Sequence, residues 1–317
     1  MITYGSIYIL IGLLFLVFSV LSARDATNSR RWTTALFWIL FATSFLAGDY
    51  LTDLGNGVLV LAMALVAGFG GLGKGSVVST SAEERRASSL KWGNLLFVLA
   101  LIIPAVTLAG TFALKSIIMG DVPIADPKQA TLISLAIGAV IACVVATLLL
   151  RQPLSSPFQE GRRLVDTIGW AALLPQMLAS LGAVFAAAGV GKVVGDLATQ
   201  YVPADNLLLA VAVYCAGMAL FTMVMGNAFA AFPVLASGIG IPLLIQHFGG
   251  NPAAVASIGM LAGFCGTLMT PLAANFNIVP AALLDLQDRN LVIRMQIPTA
   301  LIMLLVNTTL MYVLAFN

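Results

Sequence analysis

Charge is what this sequence has least of. Of its 317 residues only 9% are Asp, Glu, Lys or Arg, against 60% hydrophobic residues, and the mean hydropathy is +1.03. Soluble globular chains carry about a quarter of their residues charged, so a soluble fold is excluded and lipid must be the solvent for most of the surface. The 15 basic and 13 acidic residues leave a net charge of only +2. The basic ones sit in short clusters between apolar runs, which is not the footprint of a nucleic-acid-binding surface. Cys143, Cys215 and Cys265 are odd in number, far apart and inside apolar stretches. They support neither a disulfide framework nor a zinc-ligand spacing and read as small core residues. The single histidine, His247, falls at the end of an apolar run beside Phe248 and reads as a solvated helix-end residue. With no gathered carboxylates, histidines or thiols, an enzyme is not expected.

What is present is apolar length. A bilayer core about 30 Å thick needs roughly 20 apolar residues per helix. Hydropathy predicts spans at residues 5–23, 32–48, 54–73, 93–114, 130–150, 167–189, 206–224, 230–246, 252–269 and 295–315. The expected fold is therefore an all-α polytopic integral membrane protein with about ten transmembrane helices, one transmembrane domain over residues 1–317. The run from Gly5 to Ala23 has no basic segment before it and no small-residue cleavage site after it, so it is expected to stay as a first helix. If ten spans alternate, twelve of the fifteen basic residues fall on one face, leaving Lys115, Lys128 and Lys192 opposite. The positive-inside rule then places both termini outside.

The two halves differ in texture. Residues 1–150 read as mostly regular helix, although Pro104 and Thr107 suggest a kink. Residues 151–317 read as a broken-helix half, with MGNAFAAFPVLASGIGIP and GFCGTLMTPLAANFNIVP placing Gly, Pro, Asn and Thr at membrane depth. The apolar piece from Pro271 to Leu284 is too short to cross as a regular helix and is expected to be re-entrant, leading to Asp285. Backbone groups without partners in hydrocarbon cost several kcal/mol, so such breaks occur where they are buried in protein or line a cavity.

The candidate substrate-binding residues are Gly226, Asn227 and Ala228, then Thr267, Thr270, Pro271, Asn275 and Asn277, with Gln176 as a wall. Gly and Pro stop a helix and Asn and Thr supply neutral donors and acceptors beside the gap. Freed N–H groups suit a small anion, and freed carbonyls a cation. Small residues with Asn or Thr also serve as glue between membrane helices, and both readings remain open here. Ser180, Thr222 and Ser237 are weaker candidates, because a hydroxyl can bond a carbonyl one turn back. Asn307, Thr308 and Thr309 are expected to serve packing. All charged residues are expected in loops or at helix ends, so no intramembrane carboxylate is foreseen.

The stretches EERRASSLKWGNLLFVLALIIPAVTLAGTF, DPKQATLISLAIGAVIACVVATLLL, EGRRLVDTIGWAALLPQMLASLGAVFAAAGVGKVVG, GNAFAAFPVLASGIGIP and GTLMTPLAANFNIVPAALL, in that order, resemble the bacterial membrane family known as domain of unknown function 979. The resemblance covers nearly the whole chain. It implies an inner (cytoplasmic) membrane permease component, encoded beside a second, smaller membrane protein and near genes of pyroglutamate metabolism. The second-half motifs are also similar to those of the ion-transporter superfamily, whose carboxylate carriers have paired re-entrant hairpins. GNAFAAFP stands where a hairpin tip would be, and TLMTPLAANFN where the following broken helix would be. The Ser-Asn-Thr cluster of some such tips is absent, and the first half lacks a matching tip, so a partner chain is expected to supply the other half.

The expected function is thus a subunit of a secondary transporter for a small organic anion, 5-oxoproline or a related carboxylate, working by alternating access. No cofactor is expected. The coupling ion would be sodium or a proton, with the lack of an intramembrane carboxylate arguing against a proton relay within the chain. The expected partners are the lipid bilayer, the anion and a second membrane subunit or a second copy. The alternative is a non-transporting scaffold or regulatory subunit of a neighbouring membrane protein; a membrane enzyme ranks behind both.

Overall fold

A computed structural model describes residues 2–75, 81–119, 122–201, 203, 205–284 and 286–316. Each of the ten expected apolar runs is helical along most of its length. Among the described residues, eight helices are long and apolar enough to cross a membrane. The other two of the ten correspond to Arg31–Ala47, with 17 residues, and the apolar but shorter Pro252–Thr267, with 16. The chain is an all-α, membrane-embedded, multi-pass protein, and it divides into two compact units, Met1–Gly169 and Trp170–Asn317.

In the first unit α1 (Tyr4–Arg24) and α2 (Arg31–Ala47) form a hairpin. Gly12 allows the close approach: a Cβ there would lie 2.5 Å from the Leu46 side chain. Aromatic rings fill the seam, with Phe15 stacked on Trp38 at 5.4 Å and set edge-on to Phe41 at 4.8 Å. Helix α3 (Asp53–Leu65) loosens into a π-helical turn (Val66–Gly70), so irregular backbone is not confined to the second half. The following residues fold over the α1–α2 turn, where Asn28 donates to the Gly73 carbonyl at 2.8 Å and Thr33 to that of Gly71 at 3.0 Å. The short polar helix α4 (Ala82–Trp92) opens on a capping box built by Ser81 and Glu84. Helix α5 (Leu95–Ser116) continues through Pro104 and pairs with α6 (Ala130–Leu149). Between them Gly138 meets the Ile103 carbonyl closely, a Cβ there lying 3.0 Å from it. The pair of two-residue strands β1 (Ile118–Met119) and β2 (Val122–Pro123) closes this hairpin. The unit ends in α7 (Ser156–Ile168), stopped by Gly169 at φ +57°.

In the second unit a 3-10 turn leads to α8 (Leu174–Ala187) and then α9 (Val190–Tyr201). Helices α10 (Leu207–Met225), α11 (Ala228–Leu235), α12 (Pro252–Thr267), α13 (Ile278–Leu283) and α14 (Leu291–Leu314) follow. Helix α11 continues without interruption into a twelve-residue π-helical stretch, Ala236–His247, which contains Pro242. The π form is rare and concentrates at functional segments. Tyr214, Cys215, Met218, Leu235, Leu244 and Met311 are fully buried in the core. Gly240 and Gly259 make room for the Tyr214 ring, and Gly195 meets the backbone of Gly238. Small residues thus carry helix association where lipid offers no hydrophobic drive. Asn307 packs as expected, donating to Cys265 Sγ at 3.5 Å, while Thr308 and Thr309 bond carbonyls of their own helix. Cys143 departs from expectation: it is exposed.

Candidate functional site

Two interruptions in the second unit carry predicted site residues. The first lies between α10 and α11, where Gly226 adopts φ +72° and caps α10. Asn227 then restarts the helix, its Oδ1 accepting from the Phe229 N–H at 2.8 Å, the N-cap role that Asn fills well. The second is the unwound segment 268–277 between α12 and α13. The expected re-entrant piece from Pro271 therefore consists of turns followed by the six-residue α13, and Asp285 lies outside the described residues.

These interruptions touch. A Cβ on Gly226 would lie 2.8 Å from the carbonyl carbon of Leu272, so glycine is required both for the left-handed backbone and for the approach of the second segment. Thr270 Oγ1 donates to the Met223 carbonyl at 2.8 Å, tying the turn to the end of α10. Asn277, fully buried, donates through Nδ2 to the carbonyls of Thr267 at 2.8 Å and Thr270 at 2.6 Å. Carbonyls freed where α12 ends are thereby satisfied.

Beside this junction is a cavity of about 190 Å³. Gly226, Asn227, Thr267 and Asn275 line it together with Leu174 and Pro175 of α8 and the rings of Phe229 and Phe264, which meet edge to face at 5.6 Å. Its wall is mostly apolar with a few amide and backbone groups, the usual character of a small-molecule site. At about 30 Å³ per water, it has room for roughly six waters or a solute of that bulk.

The structure thus places the predicted residues unequally. Gly226, Asn227, Thr267 and Asn275 share one cavity. Thr267 spends its hydroxyl on the Phe264 carbonyl at 2.6 Å. Thr270 and Asn277 brace the backbone behind the cavity, Ala228 is buried beneath it and Pro271 is exposed. Gln176 is on α8 but does not line the cavity, whose α8 contribution comes from its neighbours; its Oε1 is buried without a hydrogen-bond partner. His247 sits edge-on to Phe248 at 4.8 Å, at the end of the π stretch. Among the described residues no three of His, Cys, Asp and Glu gather as a metal set.

One expectation fails. Charged residues are not all in loops or at solvated helix ends: Arg162 and Asp166, on α7, are each only 8% exposed. Arg162 pairs with Asp25 at 2.7 Å. Asp166 accepts from the Trp38 indole N–H at 2.7 Å and, at a longer 3.4 Å, from the Ser22 hydroxyl. Hydropathy misses this because it scores each residue in isolation, while these charges are compensated by partners more than 120 positions away in sequence. The signal was the spacing: Arg162 and Asp166 stand four apart, on one face of an amphipathic stretch. In the loop after α1, burial pushes the Asp25 carboxyl up, but hydrogen bonds from Thr27 and Arg162 outweigh it and hold the group below its usual range.

Fold and site define a class: an all-α polytopic membrane protein with a small cavity at two touching helix breaks. Residues 5–316 match the family described as "Protein of unknown function (DUF979)", and the chain belongs to that family. It matches no curated protein and no solved structure.

Proposed function

We propose that the chain is a subunit of a secondary transporter for a small organic anion, a carboxylate of the size of 5-oxoproline, which moves by alternating access and acts without catalysing a reaction. The observation that carries this reading is the meeting of the two breaks, Gly226 against Leu272, at a cavity lined by Asn227, Thr267 and Asn275. Interrupted helices at the centre of a transporter are where substrate and coupling ions bind, since half-helix ends supply directed partial charges in a medium that screens them little. The N-terminus of α11, opening on the cavity, suits the carboxylate. The bulk of a small carboxylate agrees with the cavity, and Phe229 and Phe264 would cover its apolar part. In this reading the carrier sits in the bacterial inner membrane; the clustering of basic residues in alternate loops supports an orientation with both termini outside, and a second membrane subunit or a second copy would complete the carrier.

The test is uptake of labelled 5-oxoproline and a panel of small carboxylates into cells making this chain alone or together with its neighbouring membrane protein. Uptake that is lost in Asn227→Ala and Asn275→Ala, with normal membrane insertion, is the expected result. Full uptake in both variants would remove the site from this cavity. No uptake in any combination would favour the scaffold reading.

A further inference from the structure

Among the described residues of the second unit, five side-chain oxygens are buried without a hydrogen-bond partner, on Gln176, Tyr214, Thr222, Asn277 and Gln296. Two of them, Asn277 Oδ1 and Thr222 Oγ1, belong to residues beside the helix breaks. Both residues are fully buried. The Asn277 amide cannot be turned to relieve this, because its Nδ2 already serves two carbonyls and a flipped amide would set oxygen against both. A buried acceptor left unsatisfied costs about 1–3 kcal/mol, so a fold that leaves one on each side of the same pair of breaks calls for an explanation.

Their placement supplies it. Helices α10 and α12 run the same way: Gly259 packs on Tyr214, and one turn on Gly263 packs on Met218 and Thr222. Both helices end at the breaks, tied by the Thr270 hydroxyl on the Met223 carbonyl, and neither carries a basic residue in its last turn. Thr222 Oγ1 faces Gly263. The Asn277 amide holds the carbonyl of Thr267, one helical turn of about 5.4 Å further along α12. Two negative helix ends thus converge on two orphaned acceptor oxygens. The end carbonyls that already accept one hydrogen bond keep a second lone pair each. Residues 207–284 contain no Asp, Glu, Lys or Arg, so neither of these helices nor the segment joining them carries such a charge.

We infer that a sodium ion binds where α10 and α12 end, held by Asn277 Oδ1, Thr222 Oγ1 and backbone carbonyls of the two helix ends. Neutral oxygens cannot take up a proton near neutral pH, which excludes proton binding at these atoms. With no carboxylate to offset the loss of its water shell, a divalent cation is disfavoured. The inference rests on the carrier reading only in taking the ion as the coupling ion: bound beside the start of α11, it would favour an anion in the adjoining cavity, and the anion would favour it in return.

The test is thermal unfolding of the purified full-length chain in sodium, potassium or choline chloride at matched ionic strength, with no carboxylate present. Sodium is expected to raise the melting temperature by roughly 3 °C over the other two salts. Thr222→Val, which removes the hydroxyl at nearly constant volume, abolishes that difference and melts no lower than the unaltered protein in choline, since the hydroxyl it removes has no partner there. Thr222→Ser retains the difference. Equal melting of the unaltered protein in all three salts overturns the inference, as does a sodium shift that survives in Thr222→Val. A sodium shift without uptake of any carboxylate sinks the carrier reading and leaves the cation site standing. Sodium-independent uptake with equal melting does the reverse.

Discussion

Helix α5 in the first unit and the helix from Ala228 to His247 in the second are similarly apolar, with mean hydropathies of 2.4 and 2.1 over their best windows. Yet α5 has none of that window buried, and the other helix has 56%. The difference lies in residue size. On α5, Phe97, Leu101, Leu108 and Phe112 face outward, at home in lipid. The second helix carries Ala230, Ala231, Gly238 and Gly240, which let α8, α9 and Tyr214 come into contact with it. Lipid tails compete evenly with leucine for leucine, so apolarity puts both helices in the membrane and small residues choose which one is packed. The breaks follow the same division, because loosened backbone at membrane depth is tolerated where protein surrounds it.

The contrast is broken most severely at Gly226. Gly226→Ala strains a left-handed backbone and drives a methyl into the Leu272 backbone, a combined cost of about 3–4 kcal/mol; a lower melting temperature and lost uptake are expected together. In the first unit the heaviest loss is expected at Asp166, one of its buried charges. Asp166→Ala strands the Trp38 indole and is expected to cost about 2–4 kcal/mol, while Asp166→Asn, which still offers an acceptor, costs less than half of that. Comparing melting of the two variants checks this. Asn227→Ala removes the α11 N-cap for about 1 kcal/mol, so an uptake defect much larger than its stability loss would separate a binding role from a structural one.

Acid weakens a specific link in the first unit. Because the Asp25 carboxyl is held below its ordinary value, its contribution is fully present above that value and is lost as pH falls through the depressed one. Melting temperature should therefore decline in the acid range, below about pH 4, and part of that decline should vanish in Asp25→Asn. The smallest effect is expected at Gly57, where a Cβ meets nothing within 4 Å: Gly57→Ala should be neutral or stabilise by up to about 1 kcal/mol through helix propensity. A marked loss there would show that the open face of α3 is a packed one.

Local sequence rules foresaw the break at Gly226-Asn227 and the unwinding near Thr270-Pro271, because capping and helix termination act over a few residues. They did not distinguish Thr267 and Asn275, which line the cavity, from Thr270 and Asn277, which brace its backbone. That choice depends on where Met223 and Leu272 come to rest, and these belong to different helices. Nor did they separate Thr222 from other hydroxyls that bond their own helix, since an unpartnered oxygen can be recognised only when every neighbour is placed.

By itself the sequence determined the solvent, the helical class and the points where helices stop, since each follows from transfer free energy or from backbone preferences within a turn or two. Only the tertiary structure decided that the two stops touch, that Asp166 lies buried against Trp38 and that Asn277 keeps an oxygen without a donor. Those are relations between residues far apart in the chain, fixed by close packing through glycine, which decides which polar groups meet a partner.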